Sequence, residues 1–188
     1  MEKSGLLRRY HGGALAIDEN FEQPIVVRSV SMDQEKKRLA QQAARYLSED
    51  SCIFLDSSST SSYLIPFIAA LRRVTVITNS VRTLMLLSRS HIPCILLGGR
   101  YYENDMCLVG DMTEEVADMV NVDVAFFSCL GLSDEGLVTD IDEPQTFVRR
   151  RVMKRSALNV FLFDSSKRGR VYPYTVCGPD SGAVIIAD

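Results

Sequence analysis

The constraint that narrows this chain most is an alternation repeated along it: an unbroken apolar run of strand length, a few small polar or glycine residues, then a segment with helical periodicity. Runs such as Cys52-Ile53-Phe54-Leu55 and Ile95-Leu96-Leu97 carry no polar residue on either parity. A strand with one wet face alternates apolar and polar residues, so unbroken runs are expected of strands covered on both faces. Residues 52–55, 74–78, 93–97, 122–127, 158–163 and 183–187 are the expected strands, and 60–70, 81–88, 112–119 and 144–157 the expected helices. Ahead of them, residues 33–47 place Leu39, Ala43, Ala44 and Leu47 on one stripe with charge between, which predicts a helix packed on the sheet. Strand, helix, strand with short connections predicts an α/β fold: an open, doubly wound, mainly parallel sheet with right-handed crossovers and helices on both faces.

At 188 residues, 46% hydrophobic and 24% charged, the chain has enough apolar surface for one sizeable core and no length for a second full domain. Its first 23 residues, with Arg8-Arg9, Gly12-Gly13 and a polar stretch at 18–23, read as a tail or linker, and the β-branched run Ile25-Val26-Val27 as its entry into the domain. No apolar run approaches the roughly 20 residues of a membrane helix and no signal-peptide core follows the basic start, so a cytoplasmic protein without membrane contact is expected. Five scattered cysteines without a C-x-x-C spacing favour neither disulfides nor zinc and are expected as small buried hydrophobes. A formal charge of -3 offers no basic field to a nucleic-acid backbone, so DNA is not an expected partner of this chain by itself. Neither phosphate-loop nor dinucleotide glycine motif is present, and His11 and His91, the only histidines, sit apart. No cofactor, metal site or catalytic residue is expected from these patterns.

In an open parallel sheet, ligands bind beyond the carboxyl ends of the strands, so the residues that close each run carry the chemistry. The first run is closed by Asp56-Ser57-Ser58-Ser59-Thr60, a hydroxyl-rich turn leading into a helix. Unpaired N–H groups at a helix start favour an anion, and hydroxyls add donors. An N-cap alone needs one hydroxyl, and several are present, which favours a small anion such as a phosphate over capping. Thr78-Asn79-Ser80 closes the second run and reads equally as a ligand contact or as a turn with an N-cap. Gly98-Gly99 closes the third and permits close backbone approach, as an ordinary turn also would. Asp164-Ser165-Ser166-Lys167 closes the fifth and brings an ammonium to the same edge, although lone lysines are commonly solvated. The basic run Arg149-Arg150-Arg151 with Lys154-Arg155 is expected as a solvated helix face beside the acidic stretch 134–143.

The order of these motifs, with Glu35-Lys36, Phe54-Leu55-Asp56, Val76-Ile77-Thr78, Leu96-Leu97-Gly98, Asp123-Val124-Ala125-Phe126-Phe127 and Phe163-Asp164 leading into them, resembles the effector-binding domain of DeoR-family transcriptional regulators. The resemblance runs from about Arg8 to Asp188 and implies a domain similar to ribose-5-phosphate isomerase and the glucosamine-6-phosphate isomerase group, hence Rossmann-like. It implies a phosphorylated sugar as effector, a homo-oligomer, dimer or tetramer, and DNA contact only through a winged helix-turn-helix ahead of residues 1–23. Residues 24–188 are then the sensing domain, expected to lack the family's last helix and strand. Phosphate-binding roles fall on Ser57, Ser58, Ser59 and Thr60, pocket-lining roles on Asp56, Thr78, Asn79 and Ser80, backbone approach on Gly98 and Gly99, and a cationic contact on Lys167. Ser58 stands where the family generally has glycine, and Thr146 near a usual glutamate. The isomerases of this fold carry paired carboxylates where this chain reads Ser128-Cys129-Leu130-Gly131, and another where it reads Val148-Arg149-Arg150-Arg151. A non-catalytic sensor is therefore expected, with a stand-alone sugar-phosphate isomerase as the alternative.

Overall fold

A computed structural model describes residues 7–10, 13–16 and 23–188. The rest of the expected tail, including His11, Gly12 and residues 17–22, lies outside the described residues. Strands β1 (Leu7–Tyr10) and β2 (Gly13–Ala16) pair antiparallel, Leu7 opposite Ala16. Chain order then runs through α1 (Ile25–Arg28), α2 (Asp33–Ala43), β3 (Cys52–Leu55), α3 (Ile65–Ile68), β4 (Thr75–Thr78), α4 (Val81–Arg89) and β5 (Cys94–Leu96). It continues through β6 (Arg100–Tyr102), β7 (Cys107–Val109), α5 (Asp111–Met119), β8 (Val122–Phe127), β9 (Gly131–Leu132), β10 (Val138–Asp140), α6 (Glu143–Arg155), β11 (Ser156–Phe163), β12 (Tyr174–Cys177) and β13 (Val184–Ala187).

The six apolar runs all become strands of one parallel sheet, in the order β13-β11-β8-β3-β4-β5. The chain winds outward from β3 to β5, then crosses back to β8 on the other side of β3, so the order reverses between β3 and β8. Burial on both faces explains the unbroken runs. Ile53, Leu55, Val124, Phe126, Val160 and Leu162 face a core shared with Leu39, Ala40 and Ala43 of α2 and Ile65 and Ile68 of α3. The alternate residues Phe54, Ala125, Phe127, Phe161 and Phe163 face a second core with Ala117 of α5 and Val152 of α6. In that second layer Phe127 stacks on Phe161 at 5.0 Å and lies 5.7 Å from Phe54, a geometry aromatic rings favour.

Ile25-Val26-Val27, the entry into the domain, forms the helical turn α1, in which Ile25 and Val27 are buried. Several expectations need correction. The helix expected at 60–70 is a 3-10 turn, Ser61–Leu64, followed by the single turn α3. Pro66 has no N–H to give and Ser58, Ser61 and Ser62 hydrogen-bond locally, which breaks the run of i to i−4 bonds. Three antiparallel additions were not expected: the β1-β2 pair, the β6-β7 hairpin and the small sheet β12-β10-β9, whose β12 packs on α6. Among the described residues, no helix is long and apolar enough to cross a membrane.

Candidate functional site

The reversal between β3 and β8 opens the carboxyl edge of the sheet, and Asp56, the first residue beyond β3, bridges it. Its Oδ2 accepts from the Ser128 backbone N–H, just beyond β8, at 3.1 Å, and its Oδ1 accepts from the Ser58 N–H at 3.0 Å. Arg149 approaches the same carboxylate at 3.2 Å and Asp140 at 2.9 Å. All three charged groups are buried. The basic run on α6 is therefore not a uniform solvated face: Arg149 turns inward, while Arg151 stays at the surface with Glu114 and Asp118. The positions three and four residues from Arg149, Gln145, Thr146, Val152 and Met153, explain it, since Gln145, Thr146 and Val152 lie on the buried side of α6.

The hydroxyl-rich turn is buried throughout, Ser57 to Ser59 each 3% exposed and Thr60 fully covered. Its side chains divide between structure and opening. Ser58 Oγ accepts from the Ser61 N–H at 3.1 Å and so caps the 3-10 turn, in an ordinary backbone region, so the usual glycine is not needed for conformation. Ser57 Oγ donates to Gln145 Oε1, Gln145 Nε2 donates to Asp105, and Asp105 pairs with Arg28. Thr60 Oγ1 and, beyond β4, Asn79 Oδ1 are buried without a hydrogen-bond partner. Buried polar atoms in native folds are nearly always paired, so orphans at one edge mark a place for a polar ligand or water.

Two lysines reach this edge. Lys36, only 2% exposed, donates to Ser59 Oγ at 3.0 Å, to the Ser31 carbonyl at 2.8 Å and to the Arg28 carbonyl. Lys167 donates to Ser128 Oγ at 3.3 Å. Burial pushes the Lys36 ammonium down to about 8, and repulsion from Lys167, Arg28 and Arg82 adds to it against the attraction of Asp164. Lys36 was not among the expected site residues. The signal was present: it lies three, four and seven residues before Leu39, Ala40 and Ala43, on the apolar stripe of α2.

The remaining expected residues take other positions. Thr78 Oγ1 accepts from the Ser80 N–H, and Ser80 Oγ from the Thr83 N–H at 3.1 Å as the N-cap of α4. The Asn79 carbonyl accepts from the Leu108 N–H at 2.8 Å and the Asn79 side-chain amide donates to the Leu108 carbonyl at 3.1 Å, tying the β6-β7 hairpin to the sheet edge. Gly98 and Gly99 lie against α5: Thr113 Oγ1 donates to the Gly98 carbonyl at 2.6 Å. Asp164 Oδ1 caps its own turn through the Ser166 N–H. Among the described residues, no group of three metal-ligating side chains occurs.

A family model described as the DeoR C-terminal sensor domain matches residues 31–188. The chain belongs to this family. The helix-turn-helix-type transcriptional regulator YulB of Bacillus subtilis is 32% identical over 171 residues, covering 90% of this chain and 66% of the relative. The L-fucose operon activator of Haemophilus influenzae is 31% identical over 176 residues, covering 89% of this chain and 68% of the relative. The chain therefore spans about two thirds of the length of these regulators. In fold it is similar to ribose 5-phosphate isomerase from Plasmodium falciparum, with a TM-score of 0.54 at 20% identity over 73% of this chain and 53% of that one. At that identity the likeness concerns the fold, and it bears out the expected isomerase-like α/β sheet.

Proposed function

We propose that this sensor domain binds a phosphorylated sugar or sugar catabolite, with the phosphate between the Ser57-Ser58-Ser59-Thr60 turn and the ammonium groups of Lys36 and Lys167. The observation that carries the reading is that two lysines reach this edge, Lys36 on the Ser59 hydroxyl and Lys167 on the Ser128 hydroxyl, close enough for their charges to repel. Asp56, Thr78, Asn79 and Ser80 shape the pocket wall, and Gly98 and Gly99 its far end. The printed name of one relative ties it to a sugar operon, which supports a sugar-derived effector here. In the whole regulator the effector acts on DNA binding by a helix-turn-helix connected through residues 1–23, in a homo-oligomer working in the cytoplasm.

Sensing without turnover is the simpler reading of the carboxylates. Of the two buried acids near the position of the isomerases' acidic groups, Asp140 is ion-paired with Arg149, as Asp56 is, and Asp142 caps α6 by accepting from the Gln145 N–H. Both ion-paired carboxylates are already engaged on each oxygen, Asp56 by Arg149 and the Ser58 and Ser128 N–H groups and Asp140 by Arg149 and the Ile141 N–H, which leaves neither free to face a substrate carbon. A sensor needs only different affinity for two conformations.

A thermal-shift panel of pentose, hexose and triose phosphates with their unphosphorylated counterparts tests both. A ligand at 100 times its Kd adds about 2.7 kcal/mol, a shift of roughly 5–10 °C for a domain of this size. Lys167→Ala and Ser59→Ala are expected to weaken the hit about tenfold or more without changing the unliganded midpoint by more than a few degrees. No stabilisation by any phosphate sinks the anion site, and isomerase turnover of a panel member sinks the sensor reading.

A further inference from the structure

Residues 24–32 form the stretch of chain that leads into α2, and the polar grip on it is concentrated in a few side chains. Ile25 and Val27 anchor it in the core. Above them, Lys36 donates to the carbonyls of Arg28 and Ser31, Arg28 pairs with the buried Asp105, and the Tyr63 hydroxyl reaches the Ser29 carbonyl at 3.2 Å. The stretch ends at Met32, held at φ 54°, ψ 33°, a left-handed conformation that a side chain bearing a β-carbon adopts only at a cost.

An ammonium has three N–H donors, and Lys36 spends all of them: one on Ser59 and two on carbonyls of this stretch. An anion arriving on the Ser59 side must take a donor from one of these acceptors. The Ser59 hydroxyl can turn and donate to the anion itself. A carbonyl oxygen cannot, and a neutral acceptor competes poorly with a charged one.

We propose that Lys36 is the switch between anion and chain entry, an inference that rests on the anion site proposed above. With the site empty, Lys36 ties residues 24–32 to the domain. With an anion bound, the ammonium takes a donor from the Arg28 or Ser31 carbonyl, the hold on the segment ending at Met32 weakens, and the stretch loosens. A second line runs in parallel, since Ser57 in the anion turn reaches Arg28 through Gln145 and Asp105. Both lines end on the same residues, immediately after the part of the chain that would lead to a DNA-binding domain. A ligand event at the strand edge is thereby converted into a change in how the chain enters.

Hydrogen exchange on the 188-residue chain, read by mass spectrometry or NMR, tests this with inorganic phosphate as the probe. Lys36→Met keeps the apolar stem and removes the donors. It is expected to speed exchange of the amides of residues 27–30 about tenfold or more, with the amides of β3 and β8 unchanged. Saturating phosphate is expected to produce the same acceleration in the parent and none in Lys167→Ala if that variant no longer binds. Unchanged exchange at residues 27–30 in Lys36→Met overturns the tether. Phosphate that stabilises the parent against heat, loses that effect in Lys167→Ala, and still leaves residues 27–30 unaffected overturns the switch while sparing the anion site. Phosphate that stabilises nothing removes the site and the switch together, and the Lys36→Met result then reports a purely structural tether.

Discussion

Gly99 sits at φ 136°, and a β-carbon there would lie 2.0 Å from Thr113 Oγ1 and 2.9 Å from the Val109 carbonyl oxygen. The first contact is with a hydroxyl fixed by its bond to the Gly98 carbonyl, and the second is with backbone, so neither can yield cheaply. Of the pair beyond β5, Gly99 is thus required by the packing of α5 and the β6-β7 hairpin whether or not a ligand approaches. Gly99→Ala is expected to destabilise the domain by about 2–4 kcal/mol, seen as a lower urea midpoint at unchanged slope. Gly98, where the nearest contact of an added β-carbon is the flexible Met112 sulfur at 3.7 Å, should accept alanine with little loss. Equal sensitivity at both positions would refute this division of roles. The dipeptide Gly-Gly in the sequence shows a turn but cannot show which residue needs it, because that depends on a threonine 14 positions away.

Helix α6 is joined to the sheet by one buried cation. Arg149 lies between Asp56 and Asp140, and all three have little access to water. Removing the guanidinium leaves two desolvated carboxylates without their counter-ion, so Arg149→Met is expected to cost about 3–5 kcal/mol, measured by thermal or urea unfolding. Arg149→Met with Asp140→Asn should recover part of that loss, whereas Arg151→Met, on the exposed side of the same helix, should change stability by less than about 1 kcal/mol. A cost for Arg149→Met no larger than that for Arg151→Met would show the buried triad to be energetically idle. The same helix marks how far sequence reading reached. All six parallel strands were legible because burial on both faces writes an unbroken apolar run. The candidate site edge follows from the same runs, because ligand residues of such sheets are expected beyond their carboxyl ends. Arg149 and Lys36 were not singled out, since each was judged by its own charge and not by its place on a buried stripe. The short antiparallel strands β1, β6, β10 and β12 escaped because none lies in an unbroken apolar run of the kind that marks the parallel strands, and the expected helix after Thr60 gives way because local serine bonds compete with the helical ladder.

The charge held at Lys36 makes the molecule's response to pH a test of where the effector binds. Its ammonium titrates at about 8 in the folded protein and near 10.5 when unfolded, chiefly through burial and then through repulsion by Lys167. Below pH 8 both states carry the proton and the cost of burying it is fully present. Between pH 8 and 10.5 the unfolded chain binds more protons than the folded one, so this group makes stability rise with pH. The thiols oppose it: burial pushes Cys94 up to about 11, and Cys52, Cys129 and Cys177 upward from 9.0, so the folded state keeps protons there that the unfolded state loses. The parent curve therefore mixes two slopes, and the difference between the parent and Lys36→Met isolates the lysine. A phosphate monoester gives a cleaner signal, because it needs the charged ammonium and becomes a dianion above about pH 6. Its affinity is expected to be highest between about pH 6 and 8 and to fall toward about tenfold per pH unit above that. Calorimetric titration in buffers of different ionisation enthalpy checks it: at pH 7 the small uptake by Lys36 is offset by the proton the ligand releases, so net uptake near zero should rise to nearly one proton at pH 9. Uptake that stays near zero at pH 9 in the parent would mean that the ligand never meets Lys36, whereas uptake in the parent that vanishes in Lys36→Met places the phosphate on that side chain.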